Sequence, residues 1–310
     1  MAIVHDDRTM MFTSPLEVDR AEKLGNEVEV VIAKTWAEVS TEVMKRLGNV
    51  RMTIDDDSSF RGRKGVNRSP EIFLRARSVK DEVEVRRIKR ASAVQDRIFR
   101  ALEQEIRPER SERDIAAKAV EIAISSGLSM SGSDSALSPI IVASGPNGAL
   151  PHSELTGRKV KRGDLVVADI FFRFEGYNSD ETRTFSVGAA TGEMKGRYRA
   201  VLEAQQAALE AMKPGARGSE VNEAAVATLR KHGVDRYLNH SIGHGVGIDI
   251  HESPAVSRTS KDVLERGQVV TDEPGVYFPG RYGIRIEDTV LIGKRPEPLT
   301  HYTKELVTVG

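Results

Sequence analysis

RGDLVVAD, residues 162–169, comes back in altered form as RGQVVTDE, residues 266–273, at an offset of 104. Each copy reads as a tight turn followed by an apolar strand running into carboxylates. The repetition extends on both sides. Upstream, RPERSERDIAAKAVEIAISSGL (107–128) pairs with KPGARGSEVNEAAVATLRKHGV (213–234), where Pro108 and Pro214, Val120 and Val226, and Gly127 and Gly233 are each 106 residues apart. Downstream, Asp180-Glu181-Thr182 pairs with Glu287-Asp288-Thr289 at an offset of 107, each entering an apolar run closed by Gly188 or Gly293. A long helical pattern precedes each copy, at residues 78–106 and 192–212. The first carries Ile88, Ala91, Val94, Ile98 and Leu102 along one side. Residues 80–300 are therefore expected to form two αα-ββ halves packed about a pseudo-twofold axis, an α+β architecture.

The chain before this repeat has another character. Residues 1–76 alternate short strand-like runs with one helical pattern, in which Trp36, Val39, Val43, Met44 and Leu47 recur before Gly48 stops it. The polar, turn-rich stretch DDDSSFRGRKGVNRSP (55–70) follows, so the domain boundary is expected between Ser58 and Val79. This gives a small α/β domain over 1–76 and a larger domain over 77–310. In the 310-residue chain, 46 Lys and Arg balance 46 Asp and Glu, so no global field favours nucleic acid or an acidic membrane. There are no cysteines, which excludes disulfides and thiolate ligands and leaves His, Asp and Glu as the strong metal ligands. No run approaches the ~18 apolar residues of a membrane span, and MAIVHDDRTM lacks the pattern of a secretory leader. A soluble, cytoplasmic protein is expected.

The repeat has a chemical consequence. Its paired strands bring Asp169 and Asp180 from one half against Glu273 and Glu287 from the other. Four buried carboxylates repel or take up protons unless cations offset them, and divalent ions are the natural compensation. Each residue also has a plainer reading: an aspartate at a strand end commonly caps a turn, and Arg285 with Glu287 in GIRIED (283–288) suits an exposed charged edge. Three of the seven histidines crowd into HSIGHGVGIDIHESP (240–254). A strand through GHGVG would bring His244 to the same interface as a nitrogen ligand, although a histidine beside glycine is more often a turn residue. His251, next to Glu252, suits a supporting or substrate-facing role, and His152 in ALPHSEL (149–155) could reach the same cleft. His5, His232 and His301 read as surface residues.

HSIGHGVGIDIHESP, DIFFRFEGYNSDETRTFSVG (169–188), TDEPGVYFPG (271–280) and GIRIEDTV (283–290) together resemble the proline-specific branch of the creatinase and methionine aminopeptidase superfamily. The resemblance covers residues 80–300 and implies the pita-bread metallopeptidase fold. Carried over, it implies that Asp180 and Glu287 bridge two divalent ions, that Asp169 completes the shell of one, and that His244 and Glu273 complete the shell of the other. Mn or Co is the expected metal pair, with Fe or Zn as alternatives. Positions matching His152 and His251 contact substrate or stabilise the intermediate, and Arg285 stands beside the site. Glu273 also shuttles a proton, and His240 is typical of the proline-specific branch. The implied activity is that of an Xaa-Pro dipeptidase (prolidase) acting on proline-containing peptides, in a homodimer.

Two departures from the family pattern accompany this. The family follows its first aspartate with a small residue and glycine, whereas here Asp169 is followed by Ile170, Phe171 and Phe172. The N-terminal domain resembles only the later part of the family's, about forty residues shorter. The other readings are an Xaa-Pro aminopeptidase acting on longer peptides, a methionine aminopeptidase, a non-catalytic peptide-binding protein and a metal-free creatine amidinohydrolase.

Overall fold

The structure is a computed structural model that describes residues 2–5, 8–25, 27–48, 51–55, 60, 64–130 and 140–310. The chain divides into two compact units, Met1–Phe73 and Leu74–Gly310.

In the first unit, β1 (Ala2–His5) runs antiparallel to β2 (Arg8–Thr13), and β2 runs parallel to β3 (Val28–Ile32). The one-turn helix α1 (Val18–Ala21) lies in the connection. Helix α2 (Trp36–Leu47) starts at Thr35, whose side chain accepts from Glu38 N, and stops at Gly48, as its periodicity predicts. Val39 and Val43 pack with Met10, Phe12 and Val31. Trp36, in the first position of the helix, is 60% exposed, so the buried stripe begins at Val39. The polar stretch at 55–70 is not turn throughout: Val66–Arg68 forms β5, parallel to β4 (Met52–Ile54). Residues 56–59 and 61–63 of that stretch lie outside the described residues. Helix α3 (Pro70–Ser78) follows.

In the second unit, α4 (Glu82–Glu105) opens with a capping box between Asp81 and Glu84, and α5 (Glu112–Ser125) with one between Ser111 and Asp114. Ile88, Ala91, Val94, Ile98 and Leu102 are all buried, as the apolar stripe requires. Then come β6 (Ser129–Met130), β7 (Ile140–Ser144), β8 (Leu165–Phe174) and β9 (Tyr177–Val187). The second half repeats the order with α6 (Gly192–Ala211), α7 (Gly218–Lys231), β10 (Gly243–Gly245), β11 (Glu252–Val256) and β12 (Val269–Asp272). A hairpin, β13 (Gly275–Phe278) and β14 (Tyr282–Arg285), separates β12 from β15 (Asp288–Ile292), and β16 (Pro296–Pro298) and β17 (Thr308–Val309) end the chain.

The internal repeat is visible in the element bounds. Helices α5 and α7 are both 14 residues long and start 106 residues apart (218 − 112), and β8 and β12 start 104 apart (269 − 165). Gly163 and Gly267, from the RGD and RGQ turns, both hold φ near +90° (88° and 91°), a conformation that favours glycine. Each half builds its own sheet, β17-β9-β8-β6 with β7 also on β8, and β11-β10-β12-β15-β16. Each also has its own apolar core, around Phe99, Phe172 and Phe185 in one and around Val201, Ile284 and Ile286 in the other. A bridge between Thr182 and Glu287 joins the two halves at the level of the acidic residues. Among the described residues, no helix is long and apolar enough to cross a membrane.

Candidate metal centre

Strand phase decides which side chains reach the interface between the halves. Phe174 and Tyr177 pair directly, so β8 and β9 are joined by a two-residue turn with Glu175 at φ 47° and Gly176 at φ 89°. Two expectations are corrected here. The polar EGYN at 175–178 reads as a turn with Asp180 opening the strand after it, but the turn is only Glu175-Gly176 and Asp180 is the fourth residue of β9. Asp169 does not end its strand either, since the apolar residues 170–172 carry β8 five residues further. The register sets Asp169 opposite Thr182 and Phe171 opposite Asp180. With a period of two, all four share one face of the hairpin.

The other half presents its ligand types to that face. His244 is the middle residue of β10, Glu273 follows β12, and Glu287 lies between β14 and β15. Asp180, His244 and Glu287 each offer a ligand atom within 4.8 Å of the others. His244 Nε2 lies 3.4 Å from Glu273 Oε1 and 4.0 Å from Asp180 Oδ2. Its Nδ1 faces the Gly245 carbonyl at 3.0 Å and must therefore donate, which leaves a lone pair on Nε2 toward the carboxylates. Thr271 steadies both neighbours: its Oγ1 accepts from His244 N (3.0 Å) and donates to Glu273 Oε1 (3.3 Å). Gly243 and Gly245 are required by close packing, since a Cβ on either would stand 2.1 or 2.3 Å from the backbone oxygen of Thr271 or Ser253.

Arg285 is the cation of the site rather than an exposed edge residue; it is 3% exposed. It donates to Asp169 Oδ2 (2.6 Å), to Thr182 Oγ1 (3.1 Å) and to Tyr277 OH (2.6 Å). Thr182 in turn donates to Glu287 Oε2 at 2.5 Å. His240 Nδ1 donates to the Ser241 carbonyl (2.6 Å), so its Nε2 accepts the Tyr277 hydroxyl proton at 2.8 Å. A continuous chain Asp169–Arg285–Tyr277–His240 thus edges the cleft. His152 and His251 stand at the mouth with exposed side chains, and the His251 ring centroid is 4.2 Å from that of His244. The cavity of about 170 Å³ is lined by all nine expected residues together with Phe171. His232 and His301 are exposed, and the side chain of His5 lies outside the described residues.

Burial dominates the electrostatics. It pushes the Asp180 and Glu287 carboxyls well above their ordinary range, helped in each case by neighbouring carboxylates, and pushes Glu273 up to about 8 against the opposing pull of Arg285. Burial also lowers His244 to about 3 and His240 to about 4, with His251 and Arg285 respectively adding to the effect. Four carboxylates therefore face one guanidinium. Asp169 Oδ1 and Asp180 Oδ1 are buried without a hydrogen-bond partner. Orphaned carboxylate oxygens, a bare imidazole nitrogen and crowded carboxyls forced to hold protons are what a divalent-cation site presents without its ions, and the donor set fits such ions.

Tyr277, Thr182 and Thr271 do not stand out in the sequence as site residues. Alternation along β13 does carry a signal for Tyr277, because Val276 and Phe278 enter the core while Tyr277 shares the face of Glu273 and Arg285.

The chain belongs to metallopeptidase family M24, whose model matches residues 86–294. It has the pita-bread fold of that family, whose members are metal-dependent peptidases. It is 34% identical to the Xaa-Pro dipeptidase of Pyrococcus furiosus over 98% of this chain and 88% of that protein. It is 39% identical to the Xaa-Pro dipeptidase of Pyrococcus horikoshii over 76% of this chain and 66% of that protein, just under two thirds of its length. The solved structure of the prolidase from Pyrococcus furiosus superposes with a TM-score of 0.85 at 33% identity, covering 97% of this chain and 89% of that one.

Proposed function

We propose that the protein is an Xaa-Pro dipeptidase that uses two divalent cations, Mn or Co, with Fe or Zn as alternatives. The observation that carries the proposal is the meeting, in one buried cleft, of Asp180, His244 and Glu287 with Asp169 and Glu273, in a chain of this family. Asp180 and Glu287 would bridge the ions, Asp169 would complete one shell, and His244 with Glu273 the other. Bound there, the cations supply Lewis acidity toward a peptide carbonyl and make water more acidic.

The protein's own groups account for the rest. The scissile nitrogen is the proline ring nitrogen, a tertiary amide with no N–H, and it must gain a proton from the site to leave as an amine. Glu273, 3.4 Å from the His244 ring, is the carboxylate placed to hold and pass that proton. His251 and His152 at the mouth donate hydrogen bonds to the developing oxyanion or orient the peptide. His240 and Arg285, locked through Tyr277, shape the substrate side. The same proposal takes residues 1–76 as a short N-terminal domain and 77–310 as the catalytic domain. It also takes the protein as a cytoplasmic homodimer whose partners are peptides rather than nucleic acid or membrane.

The test is substrate choice. Mn-loaded protein should release proline from Leu-Pro and Met-Pro while leaving Met-Ala-Ser and a Gly-Pro tripeptide intact. Preferential cleavage of the tripeptide would make it an Xaa-Pro aminopeptidase, and methionine release would make it a methionine aminopeptidase. Metal binding without hydrolysis would favour a peptide-binding protein.

A further inference from the structure

Glu112, the first residue of α5, is completely buried and has no ion-pair partner among the described residues, yet its carboxylate is saturated by one loop. Oε1 accepts from Ser144 N (2.7 Å), Ser144 Oγ (2.7 Å) and Asn147 Nδ2 (3.1 Å). Oε2 accepts from Asn147 Nδ2 (3.1 Å), Thr156 N (3.3 Å) and the Thr156 hydroxyl. The backbone is tied as well, since Glu112 N donates to Arg158 O at 3.1 Å. These contacts clamp the loop at 144–147 and again at 156–158, and His152 stands between the two clamps.

The His152 ring makes no hydrogen bond with any described residue, so its backbone alone sets where it stands. The far side of the same loop is pressed on the cleft. A Cβ on Gly283 would lie 1.9 Å from Gly148 O, so the loop meets β14 backbone to backbone. Two residues along, Arg285 reaches the Pro151 carbonyl at 3.4 Å. A buried carboxylate without a cation costs more than an apolar residue of its size. What it supplies here is a fixed set of acceptors that only one loop geometry satisfies.

We infer that Glu112 is a positioning residue for His152, holding the loop so that the imidazole meets the substrate at the mouth of the cleft. The catalytic consequence rests on the peptidase proposal, while the geometric one does not. Glu112→Gln keeps the shape but turns an amide NH₂ toward donors.

The experiment compares full-length wild type, Glu112→Gln, His152→Ala and the double variant, Mn-loaded, on Leu-Pro. Glu112→Gln should lower kcat/KM about 10- to 100-fold, the scale of a misplaced group, and should cost no further activity in the His152→Ala background. Independent, multiplying losses would overturn the inference. NMR of the histidine rings supplies a readout without turnover: the His152 resonance should shift in Glu112→Gln while that of His251 and the Mn-induced rise in Tm stay as in wild type. An unmoved His152 resonance would likewise overturn it. Should Glu112→Gln not fold, Ser144→Ala removes the hydroxyl contact to Glu112 while keeping the Ser144 N–H contact, and is read the same way with a smaller effect. An inactive wild type would overturn the peptidase proposal, and the ring shift would still decide the role of Glu112.

Discussion

Arg285, at the end of β14, donates a 2.6 Å hydrogen bond to Asp169, in the middle of β8, and so ties the two halves of the repeat together across the acidic cleft. The same guanidinium holds Thr182 and Tyr277, and through them Glu287 and His240. One cation organises the side chains around four carboxylates.

Removing it should therefore destabilise the metal-free protein most. Arg285→Ala leaves buried carboxylates without their partner, a loss of about 3 kcal/mol in the absence of metal. Mn should restore part of that loss by offsetting the same charges. Urea unfolding with and without Mn measures both, and an equal loss under the two conditions would contradict this view of the cleft.

Tyr277→Phe deletes one hydroxyl that donates to His240 and accepts from Arg285. The variant should keep its fold, lose about 1–3 kcal/mol of stability and lose activity on Leu-Pro. Steady-state kinetics beside a thermal melt tests it, and a fully active variant would remove Tyr277 from the site.

The dependence on pH has a definite sign. In the metal-free fold, Asp180, Glu273 and Glu287 titrate above their unfolded values, so the stability they contribute is fully present below the unfolded value near 4.5 and is lost as pH rises through the folded ones, about 8 for Glu273. His244 works in the opposite sense: its folded value of about 3 lies below 6.5, so its contribution is present above pH 6.5 and lost as pH falls toward 3. Between pH 6.5 and 8.5 the first effect acts without the second. The metal-free protein should lose stability across that window while its affinity for Mn increases, because binding displaces the carboxyl protons. Chemical unfolding and calorimetric Mn titration at pH 6.5 and 8.5 check this, and stability and Mn affinity that do not change between the two would contradict it.

Phe171 sits opposite Asp180 on the same face and lines the cleft. Phe171→Ala should widen it and raise kcat/KM for Gly-Pro tripeptides relative to Leu-Pro, by about tenfold. An unchanged ratio would show that Phe171 does not set peptide length.

The repeat was legible in the sequence because turn glycines, helix lengths and strand starts recur at nearly constant offsets, and the four carboxylates could be named from the same segments; the histidines came from HSIGHGVGIDIHESP and ALPHSEL, and the roles of His240 and Arg285 from the family resemblance. Strand phase was less legible. Asp169 reads as a strand end because LVVAD stops on a charge, but Ile170 and Phe172 go into the core and carry the strand onward. The Arg285–Tyr277–His240 chain and the Glu112 clamp were hidden for another reason: each is built from side-chain hydrogen bonds between different elements, which leave no periodic trace.

Proline release from Leu-Pro by chelator-stripped protein, before and after adding Mn, is the most direct test of the central claim. No release without metal and rapid release with it is the predicted result. Equal hydrolysis in both states, or none with Mn demonstrably bound, would contradict it.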